Sequence, residues 1–574
     1  MHPHETNSDH SLITFEVNKK IMPTRTEVNN RFNIKRADWD AYRLLIRNLL
    51  QQHIPQNNNE EYHTDAQILS EKIDKVILEA ANKSIPRKKT FIKSVPWWNQ
   101  NLTNLRAKVL ERRRKLKRTK DATARKRLTI EFRKIRNKYT SAINEAKKTS
   151  WEKFVTKEGN RYPWSIIYKM QTKLLKIETV HSNINNNDIH TTTWDETMDT
   201  LLNILIPSDN SNNETAWQRS TRLDTRYTPN IIDAPPFTMH ELFKIIKDLN
   251  VRKTPGNDLI EAKMVKESWP EIQTDLLQLF NCCLEQGVFP RQYKLAQTRA
   301  LLKSVDKDPT DPKTYRPISL LPVIGKVLEK LIAGRLSVIV NEHPKLSARQ
   351  YGFRPRRSTE DEIVELNRIV SATQGKYAVG LLFDISRAFD NVWWPSILST
   401  LTERECPGNI YRLIQSYLTD RRASMIGSTK SEVKNITKGC PQGSVLGPML
   451  WNLIFDEAID IAGRGDNQPI AFADDLIVVV SANSRQAIEI KANTVTQELV
   501  AWCEEQKLEI SKKKSEMLLL KGFLDIKRPP VVKIGNTSMK MNPKARYLGI
   551  IFGSRLNITP HIDYITTKPK RLFA

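Results

Sequence analysis

The stretch Ile470-Ala471-Phe472-Ala473-Asp474-Asp475-Leu476-Ile477-Val478-Val479-Val480 decides how this chain is read. It is two β-prone runs hinged at adjacent carboxylates, which predicts a hairpin carrying both aspartates at its tip. An acidic pair on a turn is by itself an ordinary polar loop, and it becomes chemistry only beside a further carboxylate. That residue is Asp384, closing the run Ala378-Val379-Gly380-Leu381-Leu382-Phe383, which has the composition of a buried strand. Clustered carboxylate oxygens suit two hard divalent cations, which activate a hydroxyl nucleophile and stabilise a departing pyrophosphate. The three acids therefore imply nucleotidyl transfer.

Composition agrees with a polyanionic partner. The chain has 574 residues, 91 Lys or Arg against 64 Asp or Glu, and a formal net charge of +27. So large an excess repels itself unless nucleic acid or a similar polyanion is a regular partner. Between positions 106 and 148 there are 18 Lys or Arg against four Asp or Glu. Neither Gly nor Pro occurs between Pro96 and Gly159, and Leu128, Phe132, Ile135, Tyr139 and Ile143 recur at helical spacing, so long basic helices are expected there. A solvated helical face is the plainer interpretation of a charge run, but the local imbalance favours nucleic acid. The five cysteines are scattered and include no CxxC pair, which suits a reducing compartment and excludes a disulfide scaffold. No apolar stretch is long enough to span a bilayer, so no membrane role is expected, and the chain is read as intracellular.

Positions 183–213 are dense in Asn, Asp, Ser and Thr and suggest a tether, with a boundary near 215–235. Helical periodicity at Met239 to Leu249 then leads into the turn-forming Lys253-Thr254-Pro255-Gly256-Asn257-Asp258. Mixed helices and strands follow, so an α+β fold is expected.

Three segments then make the pattern specific. Phe383-Asp384-Ile385-Ser386-Arg387-Ala388-Phe389-Asp390, Gly439-Cys440-Pro441-Gln442-Gly443-Ser444-Val445-Leu446-Gly447-Pro448 and Phe472-Ala473-Asp474-Asp475 resemble, in order, the A, B and C motifs of non-LTR retrotransposon reverse transcriptases of the jockey and R1-like groups. Similarity extends through Tyr315-Arg316-Pro317-Ile318-Ser319-Leu320-Leu321, Gln350-Tyr351-Gly352-Phe353-Arg354-Pro355-Arg356-Arg357-Ser358-Thr359, Lys514-Ser515 and Tyr547-Leu548-Gly549. The resemblance implies polymerase right-hand fingers and palm over 237–553, with the start of a truncated thumb at 554–574. Ahead of these it implies an endonuclease C-terminal remnant at 1–20, a helical basic connector at 21–182 and a polar linker at 183–236.

By the same resemblance Asp384, Asp474 and Asp475 hold two Mg²⁺ ions, and Lys514 protonates the leaving pyrophosphate, with Lys512 and Lys513 leaving its register open. Lys303 and Arg316 neutralise the triphosphate, while Phe389 excludes a 2′ hydroxyl and so selects deoxynucleotides. At Pro441-Gln442-Gly443 the Gly443 backbone permits close approach, and the Gln442 amide is expected to contact the nascent base pair or the template. Asp390 is expected to fix local structure, and Phe472 stands where the family usually has Tyr. An RNA template, a DNA primer and deoxynucleoside triphosphates are the implied partners, and the nucleus the implied place of action. Ser8-Asp9-His10 resembles the last endonuclease motif, and Val95-Pro96-Trp97-Trp98 the connector. With the nuclease's acidic ligands missing, target nicking is not expected. Two other outcomes stay open at this point: a catalytically idle nucleic-acid-binding remnant of a decayed element, and an RNA-dependent RNA polymerase sharing the same metal logic.

Overall fold

The computed structural model describes residues 31–53, 65–88, 97–159, 184–186, 189–304, 307–342, 346–427, 431–524 and 528–573. The Ser8-Asp9-His10 motif, Val95 and Pro96 lie outside them. The chain divides into two compact units: Phe32–Pro86 with Val180–Ala574, and Arg87–Thr179.

The smaller unit is built on two helices, Gln100–Arg118 and Ala122–Gly159. The Asn99 side chain caps the first by accepting from Leu102 N at 3.0 Å, which satisfies an amide the helix itself cannot. The helices pack on each other, with Arg112 reaching Glu131 at 3.2 Å. Leu102 and Leu105 are the buried residues of the first helix. Most of the Lys and Arg side chains face solvent, as expected of helices stabilised by each other and not by a core. Lys147 Nζ lies 5.1 Å from the centre of the Trp97 ring, and the Arg106 guanidinium 5.9 Å from that of Trp98.

In the larger unit a five-stranded sheet runs in the order Lys540–Asn542, Glu516–Lys521, Tyr377–Asp384, Asp475–Ala482, Gln468–Phe472. Only the outermost pair, 540–542 with 516–521, is parallel. Both faces are covered, which is why the two central strands read as nearly unbroken apolar runs. Val379, Leu381, Phe383, Val478 and Val480 join the main core, whereas Ala378, Leu382, Ile477 and Val479 join a second cluster with Leu366, Tyr547 and Phe552. Antiparallel register sets Asp384 directly opposite Asp475. A separate four-stranded sheet runs Tyr315–Leu320, Leu295–Leu302, Arg422–Ile426, Ser431–Asn435. Mixed helix and sheet in this proportion is the expected α+β class. No helix among the described residues is long and apolar enough to cross a membrane.

Two expected boundaries are corrected. Positions 183–236 are not a bare tether: Trp194–Leu205 is a helix begun by a Thr193–Glu196 capping box, and Leu201, Leu202 and Leu205 are buried with Tyr315, Ala423 and Met425. Each such burial stabilises by about 1.5–3 kcal/mol, enough to hold a segment whose loops alone look disordered. Further on, Arg222 and Lys507 (Nζ to Asp209 2.9 Å and to Glu214 2.7 Å) share the carboxylates of Asp209 and Glu214. Nor is 21–182 one connector. Helices Trp39–His53 and Ala66–Ser84 bury Ile46, Leu49, Leu69, Ile73 and Val76 in the main core with Ile272 and Leu276 of helix Ala262–Gln286. Arg47 adds two 2.9 Å hydrogen bonds to Glu271 of that helix. The basic charge begins only after these amphipathic helices, and averaging over the whole stretch hid the change.

Candidate active site

Asp384 ends its strand and Asp475 begins the next, so a register pair brings the two carboxylates to one end of the sheet. Phe472 pairs with Asp475 across a turn of only Ala473 and Asp474, placing the third acid at the tip. The two β-prone runs fold as their pattern predicts. The charges sense one another: partial burial and then Asp384 raise the Asp474 carboxyl above its ordinary range. Loss of surrounding water, followed by the charges of Asp474 and Asp384, pushes Asp475 up to about 6, although its side chain opens to the surface.

A loop supplies the countercharge. Ser511 N donates to Asp384 O at 2.8 Å, Asp384 N donates to Ser515 Oγ at 3.2 Å, and Lys514 Nζ thereby lies 3.1 and 3.2 Å from the two Asp384 carboxylate oxygens. Of the three adjacent lysines it is Lys514 that meets the acid, while Lys512 lies beside Gly535. With Lys514 69% and Asp384 33% exposed, the pair contributes at most about 1 kcal/mol. A divalent cation competing for the same oxygens would readily displace it.

No group of three or more His, Cys, Asp and Glu among the described residues is drawn together as a finished metal cage. The donor set nonetheless fits hard cations. Burial and the neighbouring Asp384 charge raise the proton affinity of Asp474 and Asp475, and bound positive charge would relieve that repulsion.

Near the acids lies a group of cations. Partial desolvation and then the charges of Lys514, Arg387 and Arg316 lower the Lys303 pKa, so these four basic groups share one neighbourhood. Arg316 is also close enough to act on Asp474. Arg387, at a left-handed φ of 51°, donates from Nη1 to Ile204 O at 2.8 Å, tying the helix of the supposed tether to this rim.

The Gly439–Gly443 segment is stitched between Asp390 and the 315–320 strand. Cys440 N donates to Phe389 O at 2.8 Å, and Ser319 N donates to Gln442 O at 2.8 Å. Gln442 Nε2 donates to both Asp390 oxygens at 3.0 Å. Asp390 therefore orients this amide, and burial pushes its own carboxyl up to about 6. Gly443 sits at φ 121°, and a Cβ there would lie 2.6 Å from Ser319 O, so no other residue fits. The Phe389 ring is held edge-on by Phe353 (5.7 Å) and against Trp451 (5.8 Å). The acids, Lys514, Lys303, Arg316, Phe389, Gln442 and Gly443 thus belong to one connected neighbourhood.

Residues 305–552 match the family described as reverse transcriptase (RNA-dependent DNA polymerase). The chain carries a reverse transcriptase domain of the non-LTR retrotransposon type. It is 30% identical over 570 residues to a retrovirus-related Pol polyprotein from type-1 retrotransposable element R1 of Bradysia coprophila, covering 98% of this chain and 55% of that protein. The putative 115 kDa protein in element R1DM of Drosophila melanogaster is 31% identical over 432 residues, which is 75% of this chain and 40% of that protein. The RNA-directed DNA polymerase from mobile element jockey of Drosophila melanogaster is 29% identical over 336 residues, covering 57% and 36%. The chain thus spans about half or less of the length of these relatives. Reverse transcriptases are nucleotidyltransferases that use divalent metal ions, which is the class of ion the acids suit.

Several residues of this domain's site were not assigned a role from the sequence. Arg387 stood inside a quoted motif. Glu329, 1% exposed, accepts from Val445 N (2.6 Å) and Leu446 N (3.2 Å) at the start of helix Gly447–Ala462. Its signal was a lone acid among Val327, Leu328, Leu331 and Ile332. Glu362 is fully buried, accepts from the Tyr547 hydroxyl, and is pushed up to about 8, chiefly by burial and in part by Asp475. No local pattern marks that pair.

Proposed function

We infer that this chain extends a DNA primer by copying an RNA template, adding deoxynucleotides with Mg²⁺ as the metal. The observation that carries this is the meeting of Asp384, Asp474 and Asp475 at adjoining strand ends, faced by Lys303, Arg316, Arg387 and Lys514. In this reading the five-stranded sheet is the palm, the four-stranded sheet belongs to the fingers, and helix Thr559–Phe573 opens the thumb.

Two magnesium ions held by the three acids would activate the primer 3′ hydroxyl and neutralise charge on the leaving pyrophosphate. The chain's own residues do the rest. Lys303, Arg316 and Arg387 balance the triphosphate charge, and their mutual repulsion makes an empty site costly and a polyanion welcome. Lys514, lightly held by Asp384, would supply the proton that the departing pyrophosphate needs. Asp390 holds the Gln442 amide in one orientation, which fixes the side chain that would contact the base pair or template. Phe389, braced on Phe353 and Trp451, closes the space beside the sugar 2′ carbon.

Purified protein should incorporate labelled deoxynucleotides on a primed RNA in Mg²⁺, and chelation should stop it reversibly. Tight binding of primed RNA by folded protein with no incorporation would overturn the polymerase reading and leave an idle binding remnant.

The basic helical pair supplies a second binding surface for nucleic acid in this reading. Replacing Arg114, Lys115, Lys117 and Arg118 with Gln should weaken RNA binding uniformly across sequences. It should also flatten the plot of log affinity against log salt by up to about 0.7–0.9 for each phosphate that is no longer neutralised. Filter binding between about 50 and 200 mM salt measures this, and an unchanged slope would show that these cations touch no phosphate.

A further inference from the structure

The segment Gln350-Tyr351-Gly352 was singled out by resemblance but has no part in the mechanism above. It lies directly against the catalytic turn. Gln350 is 1% exposed, and a parallel bridge sets it beside Ala471. Ala471 N donates to Arg349 O at 2.9 Å, and Tyr351 N to Ala471 O at 2.7 Å, so the backbone there runs alongside the hairpin. The Gln350 amide then turns to two residues, and with Ala473 it makes two bonds. Its Oε1 accepts from Ala473 N at 3.1 Å and from Gly352 N at 2.9 Å, and its Nε2 donates to Ala473 O at 3.4 Å. Trp451 Nε1 donates to the same carbonyl at 3.0 Å. Gly352 comes so close that a Cβ on it would lie 2.1 Å from Ala473 N.

Ala473 is held where a side chain is disfavoured, at φ 59°, and it immediately precedes Asp474. A two-residue hairpin turn of this kind normally uses Gly, Asn or Asp at such an angle, because only they tolerate it without strain. Something other than the residue's own preference must hold the backbone there. A glutamine that merely satisfied stray buried groups would bond whichever were nearest. Here one side chain takes both polar groups of the single strained residue in the hairpin.

We propose that Gln350 is a positioning residue that holds Ala473 in the left-handed conformation and thereby fixes the Asp474 carboxylate beside Asp384. The rate effects below rest on the polymerase reading, but the backbone effect does not. Gln350→Leu keeps the bulk and removes both hydrogen-bonding functions. In the full chain it should lower kcat by about 10–100-fold, with KM for the deoxynucleotide within about twofold, because the triphosphate and sugar are held elsewhere. Adding Ala473→Gly should restore at least about fivefold of that loss, since glycine adopts the angle without help. Amide exchange in the peptide covering positions 470–475 should be at least about tenfold faster in Gln350→Leu than in wild type, whether or not the protein polymerises.

Unchanged exchange overturns the proposal, and so does a fall in rate that Ala473→Gly fails to restore. If wild type itself incorporates nothing, the polymerase reading falls while the exchange measurement still decides on the clamp. Should Gln350→Leu fail to fold, Ala473→Val attacks the same backbone angle from the other partner. It should show the same fall in kcat at unchanged KM and the same faster exchange, and wild-type behaviour in that variant overturns the proposal.

Discussion

Asp474→Asn should cut deoxynucleotide incorporation by on the order of 10³-fold, because charge stabilisation by bound metal supplies several kcal/mol and each 1.4 kcal/mol or so removed is a factor of ten. The substitution keeps the shape of the turn and removes one charge. It therefore separates metal holding from folding. Burial and the Asp384 charge raise the proton affinity of Asp474, so its neutral replacement should leave thermal stability unchanged or slightly higher. It should also let Asp475 titrate below its present value of about 6, since the Asp474 charge is the second cause of that shift. Asp384→Asn should reduce activity equally and, in addition, free Lys514 from its 3.1 Å ion pair. Single-turnover primer extension with saturating nucleotide is the measurement. Activity within tenfold of wild type in folded Asp474→Asn would show that these acids do not hold the catalytic ions.

Phe389→Val should relax sugar selection, raising the ribonucleotide-to-deoxynucleotide ratio of kcat/KM by on the order of 10²-fold, the scale on which pocket shape discriminates between substrates differing by one small group. The ring cannot simply turn aside in wild type. Phe353 meets it edge-on at an interplanar angle of 84°, and the fully buried Trp451 lies against it at 5.8 Å. A rigid wall of this sort excludes a hydroxyl by overlap, whereas a mobile one would accommodate it at modest cost. Deoxynucleotide kcat/KM should fall less than about tenfold, because valine leaves the acids and the nearby cations untouched. Competition between the two nucleotide types on one primed template reads the ratio. Were it to stay at the wild-type value, the ring would not be the filter, and wild-type preference for ribonucleotides would indicate an RNA polymerase instead.

The amino-acid sequence by itself determined the elements whose signal is local. Alternating β-prone runs about an Asp-Asp pair make a hairpin wherever they are placed, an apolar run ending in Asp384 makes a buried strand, and an uninterrupted basic stretch lacking Gly and Pro makes long helices. Even the helix at 194–205 had its signal, a Thr193–Glu196 capping box ahead of Leu201, Leu202 and Leu205, but the polar residues around it outweighed the pattern. Tertiary structure alone decided which distant groups meet. Strand register, not spacing, put Asp384 opposite Asp475. The loop at 511–515 chose Lys514 from three adjacent lysines. Burial paired Gln350 with Ala473, Glu329 with the amides of Val445 and Leu446, and Glu362 with Tyr547. The reason is physical: periodicity and propensity act over a few residues of chain, whereas a buried polar group takes its partner from whatever the packed core brings within reach.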